Sequence, residues 1–303
     1  MSAAEAAGGG ADRRAVAYAG VALLAATSYA IGSTSARIAY EAGSDALSVS
    51  SARTMIAAIV LFLFLRARGV RLVLARRERV TALLLGPLLA SYSFCLYAAI
   101  GFIPVALGVL TFYTFPLLSG IFSWALGTAR PTRRTGAALV VAFLGLLLAL
   151  DIVGGTRLDP RGIALALLGA TLLASLLLAT QRLFPPGDSR PRTLHILASA
   201  ALCFLVICVL SGHFALPRTP TGSVAFATSL ACYCVAVVCM FAASATLGPV
   251  KTGLLMNLEP VASMLLGVVV LGQELRPIQL LGAALVLGAI LLGRAPAAVQ
   301  AKR

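Results

Sequence analysis

Ten long apolar stretches follow one another along this chain of 303 residues, and they decide what it can fold into. A helix needs about 20 consecutive apolar residues to cross a lipid bilayer. Unbroken apolar runs of this length predict helices, because the strands of a membrane β-barrel alternate between apolar and polar residues. The stretches occupy residues 15–36, 46–65, 80–100, 102–126, 133–150, 162–181, 193–211, 222–243, 246–272 and 277–293. The sequence therefore predicts an all-α membrane protein with ten transmembrane helices.

The composition excludes a water-soluble fold. Hydrophobic residues make up 60% of the chain and charged residues 11%, whereas soluble domains average about 45–50% and about 25%. All six cysteines lie within apolar stretches, where we expect them to pack as small hydrophobic side chains. We predict no metal site and no cofactor.

An internal repeat divides the chain into two halves. Arg130-Pro131 recurs as Arg276-Pro277, and the same five residues, Gly-Ala-Ala-Leu-Val, occupy 136–140 and 282–286. Further matches at nearly the same offset are Pro104 with Pro249, Gly108 with Gly253, Pro116 with Pro260 and Gly127 with Gly272. The repeat unit holds five helices, and an odd number reverses the direction of the chain across the membrane. The pattern predicts two inverted five-helix repeats, a plan common among secondary transporters.

The predicted organisation has five parts. They are a disordered cytoplasmic tail at 1–14, a first five-helix repeat at 15–150, a connecting loop at 151–161, a second repeat at 162–293 and a cytoplasmic tail at 294–303.

The basic residues predict the orientation. With the N-terminus in the cytoplasm, 18 of the 24 basic residues lie on the cytoplasmic side and five on the outer side. The five are Arg37, Arg157, Arg161, Arg218 and Arg276. Short loops rich in arginine stay in the cytoplasm, so we expect a multi-pass protein of the inner membrane with both termini inside. The formal net charge of +14 then reflects topology and contact with membrane lipid, and no nucleic-acid partner is predicted.

Glu259 is the ionisable residue that lies nearest the middle of an apolar stretch. It sits in Asn257-Leu258-Glu259-Pro260 of the ninth stretch, where an acidic residue costs about 2.5–3.5 kcal/mol on insertion scales. Pro260 removes a backbone donor and predicts a break in the helix. Broken helices with polar centres are typical of midplane binding sites in transporters. The alternative is a structural hydrogen bond between helices.

Arg53 is the basic residue left unexplained by topology. It lies about a third of the way into the second stretch. Its guanidinium is suited to bind an anionic substrate group or to pair with Glu259. The alternative is a side chain that snorkels to the membrane surface.

The fourth stretch is the repeat partner of the ninth but has different chemistry. Its centre, residues 111–116, contains Tyr113, Thr114 and Pro116. It has hydroxyls and aromatic rings where the ninth stretch has Asn257 and Glu259, and this difference suits a substrate with unlike ends. Tyr92 of the third stretch is a further candidate for the lining, although ordinary helix packing also explains it.

Motifs of soluble enzymes are missing from the sequence. There is no Gly-x-x-x-x-Gly-Lys-Ser/Thr, no His-Glu-x-x-His and no Gly-x-Ser-x-Gly. The two histidines, His195 and His213, lie near helix ends without acidic neighbours at ligand spacing. We therefore do not predict an enzyme.

The pattern as a whole resembles the EamA-domain family of the drug/metabolite transporter superfamily. The most specific part is residues 254–260, continuing through 272–275 to Gly282, and the first half carries a weaker form in Pro116, Gly127 and Gly136. The resemblance implies a secondary transporter, often an exporter of amino acids or other small metabolites. It also implies that helices one to four and six to nine surround a central path.

We therefore predict a transporter that works by alternating access, with the two halves rocking around a midplane site. The predicted substrate-binding residues are Glu259, Asn257, Arg53, Tyr113, Thr114 and Tyr92, with helix breaks at Pro116 and Pro260. If transport is coupled to protons, Glu259 is the expected carrier. The competing class is a membrane protein that transports nothing, such as a lipid-handling enzyme or an assembly scaffold.

Overall fold

The computed structural model of the protein describes residues 3–100, 102–103, 108, 111–127, 132–149, 159–271 and 276–293. All regular secondary structure in these ranges is helical. Eleven helices lie wholly within them: α1 (Ala3–Glu41), α2 (Ala46–Ala67), α3 (Arg76–Ile100), α4 (Phe115–Ala125), α5 (Arg133–Ala149), α6 (Pro160–Leu183), α7 (Ser189–Ser211), α8 (Pro220–Leu247), α9 (Pro249–Met256), α10 (Leu258–Leu271) and α11 (Pro277–Gly293).

Capping residues explain where the helices begin. The carboxylates of Asp45, Asp159 and Asp188 accept hydrogen bonds from backbone amides in the first turns of α2, α6 and α7. Such caps bond one of the amides that a helix start leaves without a partner. Helices α6, α8, α9 and α11 begin with proline, which needs no amide partner at this position. Between α8 and α9 the chain turns at Gly248, whose φ of +82° favours glycine.

Six helices in the described ranges are long and apolar enough to cross a membrane. They comprise residues 15–41 of α1, all of α2, residues 76–96 of α3, and all of α6, α7 and α8. Shorter apolar helices are α4 and residues 277–292 of α11. The prediction of an all-helical membrane protein is confirmed, and the total of ten spans stays a prediction.

The domain limits also stay predictions. Helix α1 begins at Ala3 and so runs through most of the segment predicted as a tail. Most of the predicted connecting loop, residues 151–158, lies outside the described residues, as do 294–303.

Helix α2 buries small polar residues and exposes large apolar ones, the reverse of a helix in a soluble protein. Its buried side includes Ser48, Ser50, Ser51 and Thr54. Its exposed side carries large apolar residues: Ile56, Ile59, Val60, Phe62, Leu63 and Phe64. Lipid solvates the large apolar side chains, while small residues allow the helices to approach closely.

Most of the closest helix packing joins residues before 150 to residues after 160. Helix α1 packs along α8, α3 along α6 and α7, α2 along α7 and α8, and α5 along α11. Glycines allow two of these approaches. A Cβ added to Gly86 would lie 2.3 Å from the Cβ of Ser199, and one added to Gly145 would lie 2.9 Å from the carbonyl oxygen of Gly282. The two halves of the chain are therefore interleaved rather than side by side.

Polar contacts tie the interleaved halves together at both ends of α7. At its C-terminal end, the Ala215 amide donates to Ser48 Oγ at 2.7 Å, and the Arg218 amide donates to the Ala42 carbonyl at 2.8 Å. At its N-terminal end, Arg192 forms a salt bridge with Glu78 of α3 at 3.2 Å. These contacts fix α7 against elements of the first half.

Candidate functional site

The ninth predicted span is divided into α9 and α10 at Asn257. This residue has φ −59° and ψ −9°, and its amide donates to the Leu254 carbonyl at 3.3 Å, three residues back. The break lies three residues before Pro260, which falls in the first turn of α10. A first turn is where proline is tolerated, because amides there have no partner within the helix. The helix is therefore interrupted at Asn257, one turn before Pro260.

The fourth predicted span also has a helix start near its middle. Helix α4 begins at Phe115 and has Pro116 in its first turn. Thr114 precedes it and donates its hydroxyl to the Thr111 carbonyl at 2.7 Å. The start of α4 packs on α9, since a Cβ added to Gly253 would lie 2.9 Å from the Cβ of Pro116. The two proline-containing helix starts are therefore neighbours.

A hydrogen bond connects these two regions. The Tyr113 hydroxyl donates to the Glu259 carboxylate. Tyr113 is 5% exposed, while Glu259 is half-buried. The bond joins the residue just before α4 to the first turn of α10.

Arg53 of α2 points into the bundle. Its Nη2 donates to Ser93 Oγ of α3 at 3.0 Å, and its guanidinium carbon lies 4.6 Å from the ring centroid of Tyr233 in α8. It also lies within electrostatic range of the Glu259 carboxylate. The guanidinium is therefore positioned between helices rather than at the membrane surface.

Tyrosines from four regions surround the two charged groups. Tyr29 of α1 contacts Tyr233 edge to face, with centroids 6.0 Å apart, and lies within electrostatic range of Arg53 and Glu259. Tyr92 of α3 stacks on Phe112, with centroids 6.1 Å apart. The Phe112 ring in turn contacts the Tyr113 ring edge to face, with centroids 6.1 Å apart. We call Arg53, Glu259, Tyr29, Tyr92, Tyr113 and Tyr233 the central cluster.

Asn257 has an unused hydrogen-bonding atom in this region. It is 2% exposed, and its Oδ1 has no hydrogen-bond partner. Thr252 of α9 and Ser119 of α4 are likewise buried with unpartnered hydroxyls. Buried polar atoms are usually paired, so these atoms are available to a ligand or to water.

Five of the six predicted substrate-binding residues lie in or beside the central cluster. They are Glu259, Arg53, Tyr113, Tyr92 and Asn257. Thr114 differs from these five, because its hydroxyl already donates a hydrogen bond to the Thr111 carbonyl in the turn before α4. Whether any of them binds substrate stays a prediction.

Sequence reasoning missed Tyr233 and Ser93. Both contact Arg53, yet each lies in an apolar stretch without a charge or proline to mark it. A weak indication was present for Tyr233. It lies in the eighth stretch, and the proposed repeat partner of that stretch, the third, contains Tyr92.

The cluster combines one carboxylate, one guanidinium and several hydroxyls inside an apolar bundle. A guanidinium binds carboxylates through forked hydrogen bonds, and a carboxylate binds an ammonium group. Among the described residues, no group of three or more His, Cys, Asp or Glu side chains is placed to hold a metal ion. The arrangement is suited to a small molecule with both charges.

The chain matches the model of the EamA-like transporter family twice, over residues 17–150 and 160–293. It is 30% identical over 251 residues to the threonine/homoserine exporter RhtA of Escherichia coli strain K12, covering 80% of this chain and 78% of that protein. It is also 28% identical over 224 residues to the uncharacterized transporter YwfM of Bacillus subtilis strain 168, covering 69% of this chain and 71% of that protein.

Solved structures include similar folds, among them one crystal structure. It superposes with a TM-score of 0.73 at 21% sequence identity, covering 90% of this chain and 98% of that one. At this identity the likeness concerns the fold alone.

Proposed function

This chain belongs to the EamA-like transporter family, and from that premise we propose that it is a secondary transporter that exports small amino acids by alternating access. Family membership and the apolar helices establish a multi-pass membrane protein related to small-molecule transporters. The substrate, the direction and the mechanism are the proposal.

The contact between Tyr113 and Glu259, with Arg53 in electrostatic range, is the observation that carries the proposal. An amino acid has one carboxylate and one ammonium group. In the proposed complex Arg53 binds the carboxylate and Glu259 binds the ammonium. Each charge then meets its opposite in a medium where an unpaired charge is costly.

The name of one relative supports this substrate class. The RhtA protein is described as a threonine/homoserine exporter. Both of its named substrates are small amino acids with a hydroxyl on the side chain. Asn257, whose Oδ1 is unpartnered, is the proposed acceptor for such a hydroxyl.

The proposed architecture is ten spans in two inverted repeats, with α9 and α10 together forming the ninth span. The order of helix packing supports it. If the first five spans correspond to the last five, then α1, α2 and α3 correspond to α6, α7 and α8. The packed pair α1–α8 then has α6–α3 as its counterpart, and the packed pair α3–α7 has α8–α2. All four pairs are in contact. The two family matches, one to each half, agree with this division.

The helix packing also suggests which parts move. Helix α1 packs with α8 and α10, while α3 packs with α6 and α7. We therefore propose that the rocking units are two bundles, each of which combines helices from both halves. This replaces the expectation that each repeat moves as one body.

The proposed location is the inner membrane, with both termini in the cytoplasm. Basic residues are in excess in the segments that lie on the same side of the membrane as the N-terminus, which supports this orientation. In the proposed arrangement these residues also contact membrane lipid. Nucleic acid is not a proposed partner. A lipid-handling enzyme or a scaffold, the alternative that the sequence left open, is disfavoured by the family match.

Glu259 has a second proposed role as the proton carrier. When the site is empty, the carboxylate holds the Tyr113 hydroxyl. The carboxylate takes up a proton after the substrate leaves, and the ammonium group of the next substrate displaces that proton. Exchange of substrate for proton at one group couples the two fluxes.

The experiment is uptake of labelled threonine, homoserine and a wider amino-acid panel into proteoliposomes. We expect Glu259→Gln and Arg53→Ala each to lower the rate by roughly 10- to 100-fold, because each removes one charged partner of the substrate. Matched controls are Glu41→Gln and Arg37→Ala, which alter an exposed ion pair on α1. If Glu259→Gln and Arg53→Ala both transport at the normal rate, the site is assigned wrongly. If no amino acid is transported by the unmodified protein, the substrate class is wrong.

A further inference from the structure

A cavity lies between α2, α3 and α7, lined by none of the residues of the central cluster. Its volume is about 270 Å³, and its walls are largely apolar, from Leu47, Phe94, Ala98 and Phe204. Phe204 is fully buried, whereas Phe94 is 52% exposed. The cavity therefore opens sideways past Phe94, toward the lipid that surrounds the bundle.

The mouth of this cavity is polar. Asp45, at the start of α2, and His213, just beyond α7, line it, and His213 Nε2 lies 3.1 Å from Asp45 Oδ2. Burial alone would raise the pKa of Asp45, but hydrogen bonds from the amide and hydroxyl of Ser48 outweigh it and lower the pKa. The mouth thus carries a carboxylate that stays ionised.

Both polar groups of α2 in the cavity have capacity for a ligand. Asp45 Oδ1 accepts the Ser48 amide at 2.9 Å, while the Ser48 hydroxyl and His213 contact Oδ2. A carboxylate oxygen has two lone pairs, so Oδ1 can accept a further donor. Ser50 is 1% exposed, and its hydroxyl, which faces this cavity, has no hydrogen-bond partner.

The depth of the cavity matches the anatomy of a phospholipid. Phe204 lies seven residues before the end of α7 at Ser211, which corresponds to about 10 Å in a helix with a rise of 1.5 Å per residue, and His213 follows just beyond that end. Ser50 is five residues beyond Asp45, or about 7 Å deeper by the same rise. A charged mouth, a hydroxyl at intermediate depth and an apolar end follow the order of headgroup, ester and acyl chain.

We propose that this cavity binds one phospholipid with a primary ammonium headgroup, drawn from the leaflet on that side of the membrane. The ammonium donates to Asp45, Ser50 donates to an ester carbonyl, and one acyl chain lies between Phe94 and Phe204. This headgroup is proposed because its positive charge complements the carboxylate of Asp45. Arg218, whose side chain lies over Gly43 two residues from Asp45, is placed to contact the phosphate.

The test is native mass spectrometry of the full-length protein in detergent, titrated with phosphatidylethanolamine and with phosphatidylglycerol of the same acyl chains. We expect phosphatidylethanolamine to bind roughly tenfold more tightly, and Asp45→Asn to remove that preference, because a charge-assisted hydrogen bond is lost. Asparagine is itself a good N-cap, so the helix start is kept. The matched control is Asp188→Asn, which makes the same change at the N-terminal end of α7. The cavity mouth at His213 lies beyond the C-terminal end of that helix.

Two further variants separate the headgroup from the chain. Ala98→Phe fills part of the cavity and should weaken binding of both lipids together, while Ser50→Ala should weaken both by a few-fold without changing their ratio. Equal binding of the two lipids by the unmodified protein would overturn the proposal. So would an unchanged preference in Asp45→Asn, or the same loss in Asp188→Asn. The measurement uses no transport substrate, so its outcome is independent of the proposed export.

Discussion

In the proposed two-repeat architecture the fourth and ninth spans are repeat partners, and their chemistry differs. The fourth contributes Tyr113 and an aromatic group ahead of α4, and its Thr114 hydroxyl is spent on a local turn. The ninth contributes Asn257, with an unpartnered carbonyl oxygen, and Glu259. Both have a proline in the first turn of a new helix. The geometry has been kept alike while the polar groups have diverged.

This difference indicates how a symmetric scaffold serves an asymmetric substrate. The Tyr113–Glu259 hydrogen bond joins the two unlike spans directly. An amino acid, the proposed substrate, would present unlike ends to this site in both the inward and the outward state. A site that uses one acid and one tyrosine in place of two acids avoids a pair of like charges in a medium of low dielectric constant.

The largest expected effect comes from the contact that holds the two spans together. In Gly253→Ala the new Cβ would lie 2.9 Å from the Cβ of Pro116 and 3.1 Å from a ring carbon of Phe115. We expect a loss of about 1–3 kcal/mol in stability from overpacking, measured by thermal unfolding in detergent. The control is Gly288→Ala, because a Cβ there meets nothing within 4 Å. An equal response of the two variants would show that α4 and α9 do not constrain each other.

A smaller effect should follow from removing the hydroxyl that the fourth span donates to the ninth. Tyr113→Phe removes the hydrogen bond to Glu259 and should lower the transport rate by roughly tenfold, because charged hydrogen bonds contribute about 1.5–3 kcal/mol. Tyr29→Phe is the control, since the Tyr29 hydroxyl contacts the Met240 sulfur, a weak acceptor, at 4.0 Å. Rates measured in proteoliposomes should separate them. A Tyr113→Phe variant as active as Tyr29→Phe would make the bond incidental.

The polar residues beside the two helix breaks should respond in opposite ways. Thr114→Val removes a hydroxyl that is bonded within the fold and should cost about 1 kcal/mol of stability, with little change in substrate affinity. Asn257→Leu removes an unpartnered oxygen and should leave stability nearly unchanged while it weakens substrate binding several-fold. Unfolding and substrate-induced melting shifts measure the two effects. If Asn257→Leu is the variant that unfolds, Asn257 is structural.

The smallest effect on stability should come from the two aspartates that cap α2 and α7, because both halves use the same kind of cap there. Hydrogen bonds outweigh burial to lower the pKa of Asp45, and a bond to the Arg190 side chain lowers that of Asp188. A lowered folded pKa gives stability above the ordinary value of about 3.9, and this stability is lost as the pH falls through the folded pKa. Asp45→Asn and Asp188→Asn should therefore each flatten the fall in unfolding temperature below about pH 4. An unchanged acid profile in both variants would contradict the assignment.

Sequence reasoning reached the fold because the apolar stretches carry their own information. The lipid environment requires each span to satisfy its backbone within the helix, so α2, α7 and α8 lie close to their predicted limits. The charge of Glu259 and the proline beside it stand out for the same reason, since both are costly inside a membrane.

The contacts between spans were not predictable in the same way. Ser93 and Tyr233 approach Arg53 because α2, α3 and α8 pack around it, and no residue in α3 or α8 marks that arrangement. The interruption of the ninth span lies at Asn257, three residues before Pro260. Proline is tolerated in a first turn, so the helix restarts ahead of Pro260 rather than at it.

The interleaving of the halves has a consequence for biosynthesis. Helix α1 packs chiefly along α8, and α5 along α11, so the earliest spans to leave the ribosome have their main partners near the end of the chain. Until those partners are inserted, the first helices must reside in the bilayer with small residues such as Ala22 and Ala26, buried in the finished bundle, facing lipid. Assembly of this protein is therefore a late, post-insertional event, and a chain truncated before α8 is expected to insert without folding and to be a substrate for membrane proteases.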